Sequence, residues 1–166
     1  MKAATRQGLR VGFYNDVLLP RLLDRAMRNE ELVGYRRRVV GAAHGRVLEI
    51  GLGSGLNLPF YGPGVTEIIG LDPSRRLIGM ASRRAGENDR ALSLLTASAE
   101  ANPLDTGSVD TIVTTWTMCS IPDARTAPAE MRRVLRPAGS FCSCGSSLTD
   151  DQRSHPLQPL REIPDV

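Results

Sequence analysis

A short, mostly apolar run that ends in three closely spaced glycines is the feature that most constrains this chain. Residues 46–50 (RVLEI) are partly β-branched, and Gly51, Gly53 and Gly55 follow them directly. A run stopped abruptly by glycines is more typical of a buried parallel strand than of a helix. Glycines at alternate positions allow a sharp turn and let a ligand lie against bare peptide N–H groups. The sequence therefore predicts a strand, a glycine loop and a nucleotide-like ligand.

The residues around this loop narrow the kind of ligand. A dinucleotide fingerprint needs a small residue where this chain has Leu56, so NAD is disfavoured. No GxxxxGK[ST] run supplies a phosphate-binding lysine for ATP or GTP. Asp72 stands 21 residues after Gly51, where a carboxylate can accept hydrogen bonds from both hydroxyls of a ribose. A ligand with a ribose is compatible with all three observations, and a tight turn that merely needed glycine is the disfavoured alternative.

The rest of the chain alternates strand and helix patterns. Apolar runs predict strands over residues 66–71, 92–96 and 109–115, and amphipathic spacing predicts helices over residues 74–85 and 123–135. Ser74 is expected to cap the first of these helices, and Pro137, Ala138 and Gly139 are expected to end the second. Such alternation is typical of a doubly wound α/β fold, a mostly parallel sheet with helices on both faces.

Two helices are predicted before the glycine loop, over residues 13–28 and 32–40, with Pro20 kinking the first or starting a new turn. Residues 1–46 hold ten basic and four acidic side chains, whereas the whole chain carries a net charge of +3. This basic segment could meet an anionic membrane surface, a nucleic acid or an acidic substrate, although a solvated helix face is the simpler interpretation. Apolar residues at helical spacing, Leu18, Leu22, Leu23 and Met27, share one helical face, and packing of this face into the core is the simpler expectation.

Length and composition disfavour a multidomain, membrane-spanning, secreted or metal-binding protein. A chain of 166 residues suits one domain, and no apolar run approaches the ~20 residues of a membrane-spanning helix. The first ten residues lack a signal-like stretch, so a cytoplasmic location is expected. Three cysteines without zinc-ligand spacing predict reduced thiols and no metal site.

Four sequence blocks, in order, resemble the class I S-adenosylmethionine-dependent methyltransferases, in particular the small-molecule and lipid methyltransferases of the ubiquinone-biosynthesis-like group. The blocks are residues 47–57 (VLEIGLGSGLN), 70–74 (GLDPS), 97–104 (ASAEANPL) and 109–123 (VDTIVTTWTMCSIPD). Residues 130–139 (EMRRVLRPAG) are similar to the family's next block. The resemblance extends over roughly residues 12–141 and implies a Rossmann-like fold.

The resemblance also implies a function and a set of site residues. It implies S-adenosyl-L-methionine as cofactor and methyl transfer to a small-molecule or lipid-like acceptor, with no nucleic-acid partner. It also implies that the N-terminal helices cover the glycine loop as a lid. Weak association with a membrane surface is an expectation from the basic charge of the N-terminal segment. Carried over residue by residue, the resemblance assigns cofactor contacts to Glu49, Gly51, Leu52, Gly53, Gly55, Asn57, Asp72, Pro73, Ser98, Ala99, Glu100, Thr115 and Thr117. It places Tyr14 and Trp116 at the acceptor pocket, and it assigns no catalytic residue or metal.

The sequence departs from the family in two places. Ser98 stands where the family commonly has Asp, and a hydroxyl is a weaker partner for the adenine amino group. Residues 141–147 are too polar and glycine-rich for a central strand, so the C-terminal strands are expected to be incomplete. A truncated or frame-shifted copy and a natural minimal form are both compatible with this pattern. The predicted organisation is a helical lid (1–45), a Rossmann-like domain (46–142) and an irregular tail (143–166). A degenerate protein that only binds the cofactor is the alternative function.

Individual reactive residues give weaker signals. His44 and His155 have no sequence partner that would make them a base or a ligand, so both are expected on the surface. Cys119 follows the fourth strand and is expected to be a small buried side chain. Trp116 either stacks on a substrate or caps the core. Transfer from a sulfonium needs alignment more than a dedicated base, and the sequence offers no convincing base.

Overall fold

The structure of the chain is a computed structural model that describes residues 19–86, 91–123 and 125–144. The predictions for residues 1–18, Tyr14 and Leu18 among them, lie outside the described residues. The same holds for residues 145–166, with His155.

The described residues form one parallel sheet of five strands, in the order β3-β2-β1-β4-β5. The strands are β1 (Gly45–Ile50), β2 (Val65–Leu71), β3 (Ala91–Leu95), β4 (Val109–Thr115) and β5 (Leu135–Cys144). Val47 in the central strand lies opposite Ile68 on β2 and Thr111 on β4. The strand order reverses beside β1, and in such sheets ligands bind outside the carboxyl ends of the strands at this point. The predicted doubly wound α/β fold is confirmed.

Four helices of more than one turn are present in the described residues: α1 (Leu19–Ala26), α2 (Glu30–Gly41), α3 (Arg75–Ala85) and α4 (Thr126–Val134). Ser74 caps α3 as predicted, because its Oγ accepts a hydrogen bond from the Leu77 N–H at 3.3 Å. Pro20 lies in the first turn of α1, where a missing N–H costs no helical hydrogen bond. None of the helices in these residues is both long and apolar enough to cross a membrane.

Alternation along β1 divides the core into two layers. Val47 belongs to a buried cluster that includes Val40 of α2 and Ala81 of α3. Leu48 points to the opposite face, into a cluster with Met131 and Val134 of α4. Helices therefore cover both faces of the sheet, as the sequence predicted.

The end of the sheet differs from the prediction. The helix expected over residues 123–135 is shorter, and β5 begins at Leu135, directly after it. Residues 141–147 were expected to be too polar for a central strand. In the structure, Phe141 pairs with Ile112 of β4 and Ser143 pairs with Thr114. Within the described residues β5 pairs with β4 alone, and this pairing, with the burial of Cys142, outweighs the weak β-propensity of the segment. Strand β5 ends at Cys144, and the predicted division of the chain at residue 142 stays a prediction.

Candidate functional site

The carboxyl ends of β1, β2 and β4 surround a cavity of about 310 Å³, within the size range of small-molecule sites. The loop after β1 contributes Gly51, Leu52, Gly53, Ser54, Leu56 and Asn57 to its wall. The end of β4 and the turn after it contribute Thr115, Trp116, Thr117 and Ser120. The remaining wall consists of Asp72 and Leu77 beyond β2, Asp24 of α1, Met27 in the turn after α1, and Arg36 of α2.

The glycine loop brings bare backbone to this cavity. Gly51 and Gly53 have φ values of 70° and 59°, in the left-handed region that favours glycine. A Cβ on Gly51 would lie 2.2 Å from the side chain of Thr117, so no larger residue fits between the ends of β1 and β4. The Gly51 N–H donates to the Leu71 carbonyl at 2.8 Å, which joins the loop to the end of β2. The glycines therefore serve both the turn and the close approach of three strand ends.

Asp72 is fixed at the cavity wall by backbone donors. Its Oδ2 accepts from the Gly53 N–H at 3.0 Å and its Oδ1 accepts from the Ser74 N–H at 2.8 Å. The residue is 6% exposed, and burial raises the pKa of its carboxyl although both backbone bonds oppose the rise. The carboxylate is therefore held in one orientation beside the glycine loop.

A buried hydrogen-bond network lies behind the loop, centred on Glu49. The Glu49 carboxylate accepts from the Asn57 amide at 2.7 Å and from the Tyr61 hydroxyl at 2.7 Å. The Asn57 Nδ2 also donates to the Thr115 Oγ1 at 2.9 Å. Glu49 is 1% exposed, and burial raises its pKa to about 7 against the opposing effects of Tyr61, Asn57 and Arg36. Glu49 thus reaches the cavity through Asn57 and is not itself part of the wall.

Arg36 extends this network to the cavity. Its Nε donates to the Asn57 Oδ1 at 3.0 Å, and its guanidinium carbon lies 5.0 Å from the centroid of the Trp116 ring. Arg36 is 3% exposed, and burial lowers its pKa while the Glu49 charge opposes the decrease. Trp116 has a φ of 54°, rare for a bulky residue, which indicates that the surrounding contacts impose its position.

Helix α1 meets the glycine loop through a polar contact. Asp24 accepts hydrogen bonds from Ser54 Oγ, from Arg28 Nη2 at 2.7 Å and from Arg84 Nη2 at 3.2 Å. Burial alone would raise the pKa of Asp24, but the three donors together hold it below its ordinary value. Of the apolar face expected to cover the loop, Met27 lines the cavity, whereas Leu22 is 49% exposed. The Leu23 side chain, like Leu18, lies outside the described part of the chain, so the lid stays a prediction; among the described side chains, the contact of α1 with the glycine loop is made by the Asp24 carboxylate.

Several sequence-assigned residues lie away from the cavity wall. Ser98 and Glu100 bond to each other after β3, with Ser98 Oγ donating to Glu100 Oε2 at 2.9 Å, and Ala99 is buried between them. Pro73 is exposed beside Asp72, and Gly55 is buried behind the loop. Cofactor contact by these residues and by Glu49 stays a prediction. Cys119 was expected to be buried and is exposed, because it lies in a single turn beyond β4 that leaves the sheet.

Sequence reasoning missed Arg36 as a site residue, because the run of three arginines at 36–38 was interpreted as a charged helix face. One feature of the sequence could have identified Arg36 as an inward-facing residue. Arg36 precedes Val39 and Val40 by three and four positions, and both valines are buried, so it shares their inward face of α2. In the described residues, no group of three or more His, Cys, Asp or Glu side chains could hold a metal ion.

Comparison with known proteins identifies the family. Residues 48–143 match the family described as a methyltransferase domain. The human thiol S-methyltransferase TMT1B is 34% identical over 118 residues, which are 68% of this chain and 47% of that protein. The phosphatidylethanolamine N-methyltransferase of Cereibacter sphaeroides is 33% identical over 109 residues, 63% of this chain and 53% of that protein. This chain spans about half the length of these two relatives.

Solved structures show the same fold. The YcgJ protein of Bacillus subtilis is 30% identical and superposes with a TM-score of 0.59, covering 68% of this chain and 49% of that one. A SAM-dependent methyltransferase from Aquifex aeolicus superposes with a TM-score of 0.61 over 75% of this chain and 71% of its own. At 18% identity the second likeness concerns the fold alone.

Proposed function

The chain belongs to the methyltransferase domain family, and from this premise we propose that it transfers a methyl group from S-adenosyl-L-methionine to a small-molecule or lipid-like acceptor. One observation carries the proposal: a buried carboxylate and bare glycine backbone border the same cavity at the reversal point of the sheet. Asp72 and Gly53 are the residues concerned, joined by a hydrogen bond of 3.0 Å.

The residues present fit such a cofactor. Asp72 is oriented by two backbone N–H groups, and its carboxylate can accept hydrogen bonds from a ribose. A Cβ at Gly51 would collide with the Thr117 side chain, so glycine is what lets the ends of β1 and β4 approach each other this closely at the cavity. Leu77 and Met27 add to the apolar surface that Leu52, Leu56 and Trp116 give to the wall. Together these residues suit a ligand that combines a nucleoside with a charged amino-acid end.

The chain's own contribution to the reaction is alignment of the two bound molecules. S-adenosyl-L-methionine supplies, when bound, a methyl group on a sulfonium that is already activated for transfer. Thr115, Trp116 and Thr117 border the cavity at the end of β4, where an acceptor would be positioned. Orientation by such a wall can account for much of the barrier reduction in a transfer between two bound molecules.

The acceptor class follows from relatives. One relative is named as a thiol S-methyltransferase and another as a phosphatidylethanolamine N-methyltransferase, which supports a small-molecule or lipid-like acceptor. Both names describe enzymes that complete a transfer, so they support methyl transfer over the alternative of a protein that only binds the cofactor.

Two measurements on the full chain test the proposal. Calorimetric titration should show binding of S-adenosyl-L-methionine and of S-adenosylhomocysteine but not of NAD. An assay of S-adenosylhomocysteine formation over thiols, amines and phospholipids should then show turnover with at least one class. NAD binding in place of S-adenosyl-L-methionine would contradict the cofactor assignment. Cofactor binding without turnover on any acceptor would favour the binding-only alternative.

A further inference from the structure

Helix α3 carries a group of arginines that lies outside the cavity at the strand ends. Arg75, Arg76, Gly79 and Arg83 line a shallow, open depression on the surface. Residues 75, 79 and 83 follow one another at intervals of one helical turn, and residue 76 lies seven positions before 83, so all four share one face. The opposite face of α3 packs into the core through Ala81. The depression is therefore a feature of the solvent-facing side of this helix.

These three arginines have no anionic partner in the part of the chain that the structure describes. Five other arginines there each form an ion pair with a carboxylate: Arg28, Arg46, Arg84, Arg133 and Arg136. Helix α3 has four arginines and no acidic residue, and only Arg84 of the four is paired. Because neighbouring guanidinium groups repel one another, the unpaired group favours an anion from outside the chain.

One donor of this group is buried. The Nε of Arg76 is shielded from solvent and makes no hydrogen bond to the described residues. A buried donor without an acceptor is costly, and more so when it belongs to a charged group. The other buried side-chain atoms without a partner in these residues belong to uncharged asparagine, serine and threonine side chains. An anion bound in the depression would supply the acceptor that Arg76 lacks.

Two further features of α3 favour an anion at this position. Gly79 lies in the middle of the helix, where glycine is less favourable than alanine, yet a Cβ there would meet no atom within 4 Å. Packing therefore does not require this glycine, and its missing side chain leaves open the space between the arginines one turn before and one turn after it. Arg75 and Arg76 occupy the first turn, where the helix dipole favours negative charge and the chain provides none.

We propose that the face of α3 formed by Arg75, Arg76, Gly79 and Arg83 binds a phosphate group. Guanidinium groups bind phosphate oxygens through pairs of parallel hydrogen bonds, which a chloride ion cannot accept. A phosphate monoester carries up to about two negative charges and offers more acceptor oxygens than a carboxylate does, so it suits a group of several cations better. The site is separate from the cofactor cavity and does not depend on the proposed function.

Titration of the full chain with inorganic phosphate, at constant ionic strength maintained with chloride, tests the site by calorimetry. The wild type should bind one phosphate. Arg76→Gln removes the guanidinium with the buried donor and should weaken binding about tenfold. Gly79→Glu directs a carboxylate into open space beside the arginines and should abolish phosphate binding. Arg37→Gln removes the same charge from an exposed position on α2 and should bind as wild type.

A second experiment distinguishes a soluble phosphate compound from a phospholipid head group as the source of the phosphate. The full chain is sedimented with vesicles of phosphatidylcholine that contain phosphatidic acid, and with vesicles of phosphatidylcholine alone. Sedimentation with the first vesicles that Arg76→Gln and Gly79→Glu lose, and that Arg37→Gln keeps, assigns the site to a lipid head group. Binding of inorganic phosphate without such sedimentation assigns it to a soluble compound.

Absence of binding to both inorganic phosphate and the phosphatidic-acid vesicles overturns the proposal. Equal weakening in Arg76→Gln and Arg37→Gln overturns it as well, because the chain would then respond to net charge alone. Affinity for S-adenosylhomocysteine, measured in parallel, should be the same in all variants, because none of these residues lines the cofactor cavity. If Arg76→Gln loses that affinity too, its fold is disturbed, and Gly79→Glu decides. Failure of the wild type to bind S-adenosylhomocysteine refutes the proposed function and leaves the phosphate result to stand by itself.

Discussion

The two ends of the cavity are built by different means. At the β2 end, Asp72 is held by the backbone N–H groups of Gly53 and Ser74, and its position follows from where the strand ends. At the β1–β4 end, Arg36, Asn57 and Glu49 hold one another through side-chain hydrogen bonds that link a helix, a loop and a strand. At the β2 end, a side-chain substitution should disturb the neighbouring residues little, because the supporting hydrogen-bond donors belong to the backbone. The second end depends on every member of a buried network.

Replacing Asn57 should produce the largest loss of stability, because its side chain connects the hydrogen-bond network at the β1–β4 end. Asn57→Ala removes the side chain that joins Arg36 to Glu49 and leaves both buried groups without this partner. The free energy of unfolding should fall by about 3 to 4 kcal/mol, as for other buried charged groups that lose a partner. Chemical denaturation monitored by circular dichroism measures the change.

A second buried asparagine provides the control. The Asn102 Oδ1 accepts only the nearby Leu104 N–H, at 3.1 Å, so Asn102→Ala should cost about 1 kcal/mol. Equal losses of unfolding free energy in Asn57→Ala and Asn102→Ala would show that the network at the β1–β4 end contributes no more to stability than an isolated hydrogen bond does.

The contrast between the two ends also explains what the sequence could predict. The glycine spacing and the distance to Asp72 are local signals, and the structure brings these residues to one cavity as expected. Arg36 and Asn57 are 21 residues apart, and their hydrogen bond depends on how α2 packs on the sheet. No local pattern reports that contact, so the sequence placed Asn57 at the site but not Arg36. Strand β5, which lies at the edge of the sheet within the described residues, was not predicted for a related reason, because pairing with β4 outweighs its own weak propensity.

The pH dependence of the free energy of unfolding should report the contribution of Glu49, which belongs to the β1–β4 end of the cavity. Its pKa rises from 4.5 to about 7 on folding, so the folded state binds the proton more tightly. This contribution to stability is therefore complete below pH 4.5 and is lost as the pH rises through 7. Between pH 5 and pH 8 the wild type should lose about 2 to 3 kcal/mol from this group, whereas Glu49→Gln should lack that loss.

Denaturation of both chains at the two pH values measures the difference. Glu31→Gln, an exposed substitution on α2, should keep the wild-type slope. A Glu49→Gln chain with an unchanged slope would mean that Glu49 is ionised throughout this range in the folded protein.

Replacing Asp72 tests the β2 end, where ligand affinity should change more than stability. Asp72→Ala should weaken S-adenosylhomocysteine binding by about 1.5 to 3 kcal/mol if the carboxylate accepts hydrogen bonds from both ribose hydroxyls. Isothermal titration calorimetry gives the affinity, and Asp105→Ala, at an exposed position, is the control. Unaltered affinity in Asp72→Ala would remove the ribose role from this carboxylate.

The smallest effect is expected at Asp24, which touches the loop between the two ends. Asp24→Asn keeps the shape of the side chain and removes the charge that Ser54, Arg28 and Arg84 surround. Because the Arg84 Nη1 still donates to Ser54 Oγ, at 3.0 Å, the loop should loosen without unfolding. S-adenosylhomocysteine affinity should fall by about 1 kcal/mol, or roughly fivefold. Calorimetric titration at constant ionic strength measures this change.

Arg28→Gln distinguishes the contact between Asp24 and Ser54 of the loop from the exposed ion pair between Asp24 and Arg28. The Arg28 side chain is 58% exposed, so its pair with Asp24 should contribute little, and the variant should bind as wild type. A fall in affinity confined to Asp24→Asn would support the predicted role of the N-terminal helices as a lid over the glycine loop. Wild-type affinity in both variants would mean that α1 packs beside the loop without holding it, and that the two ends of the cavity alone determine binding.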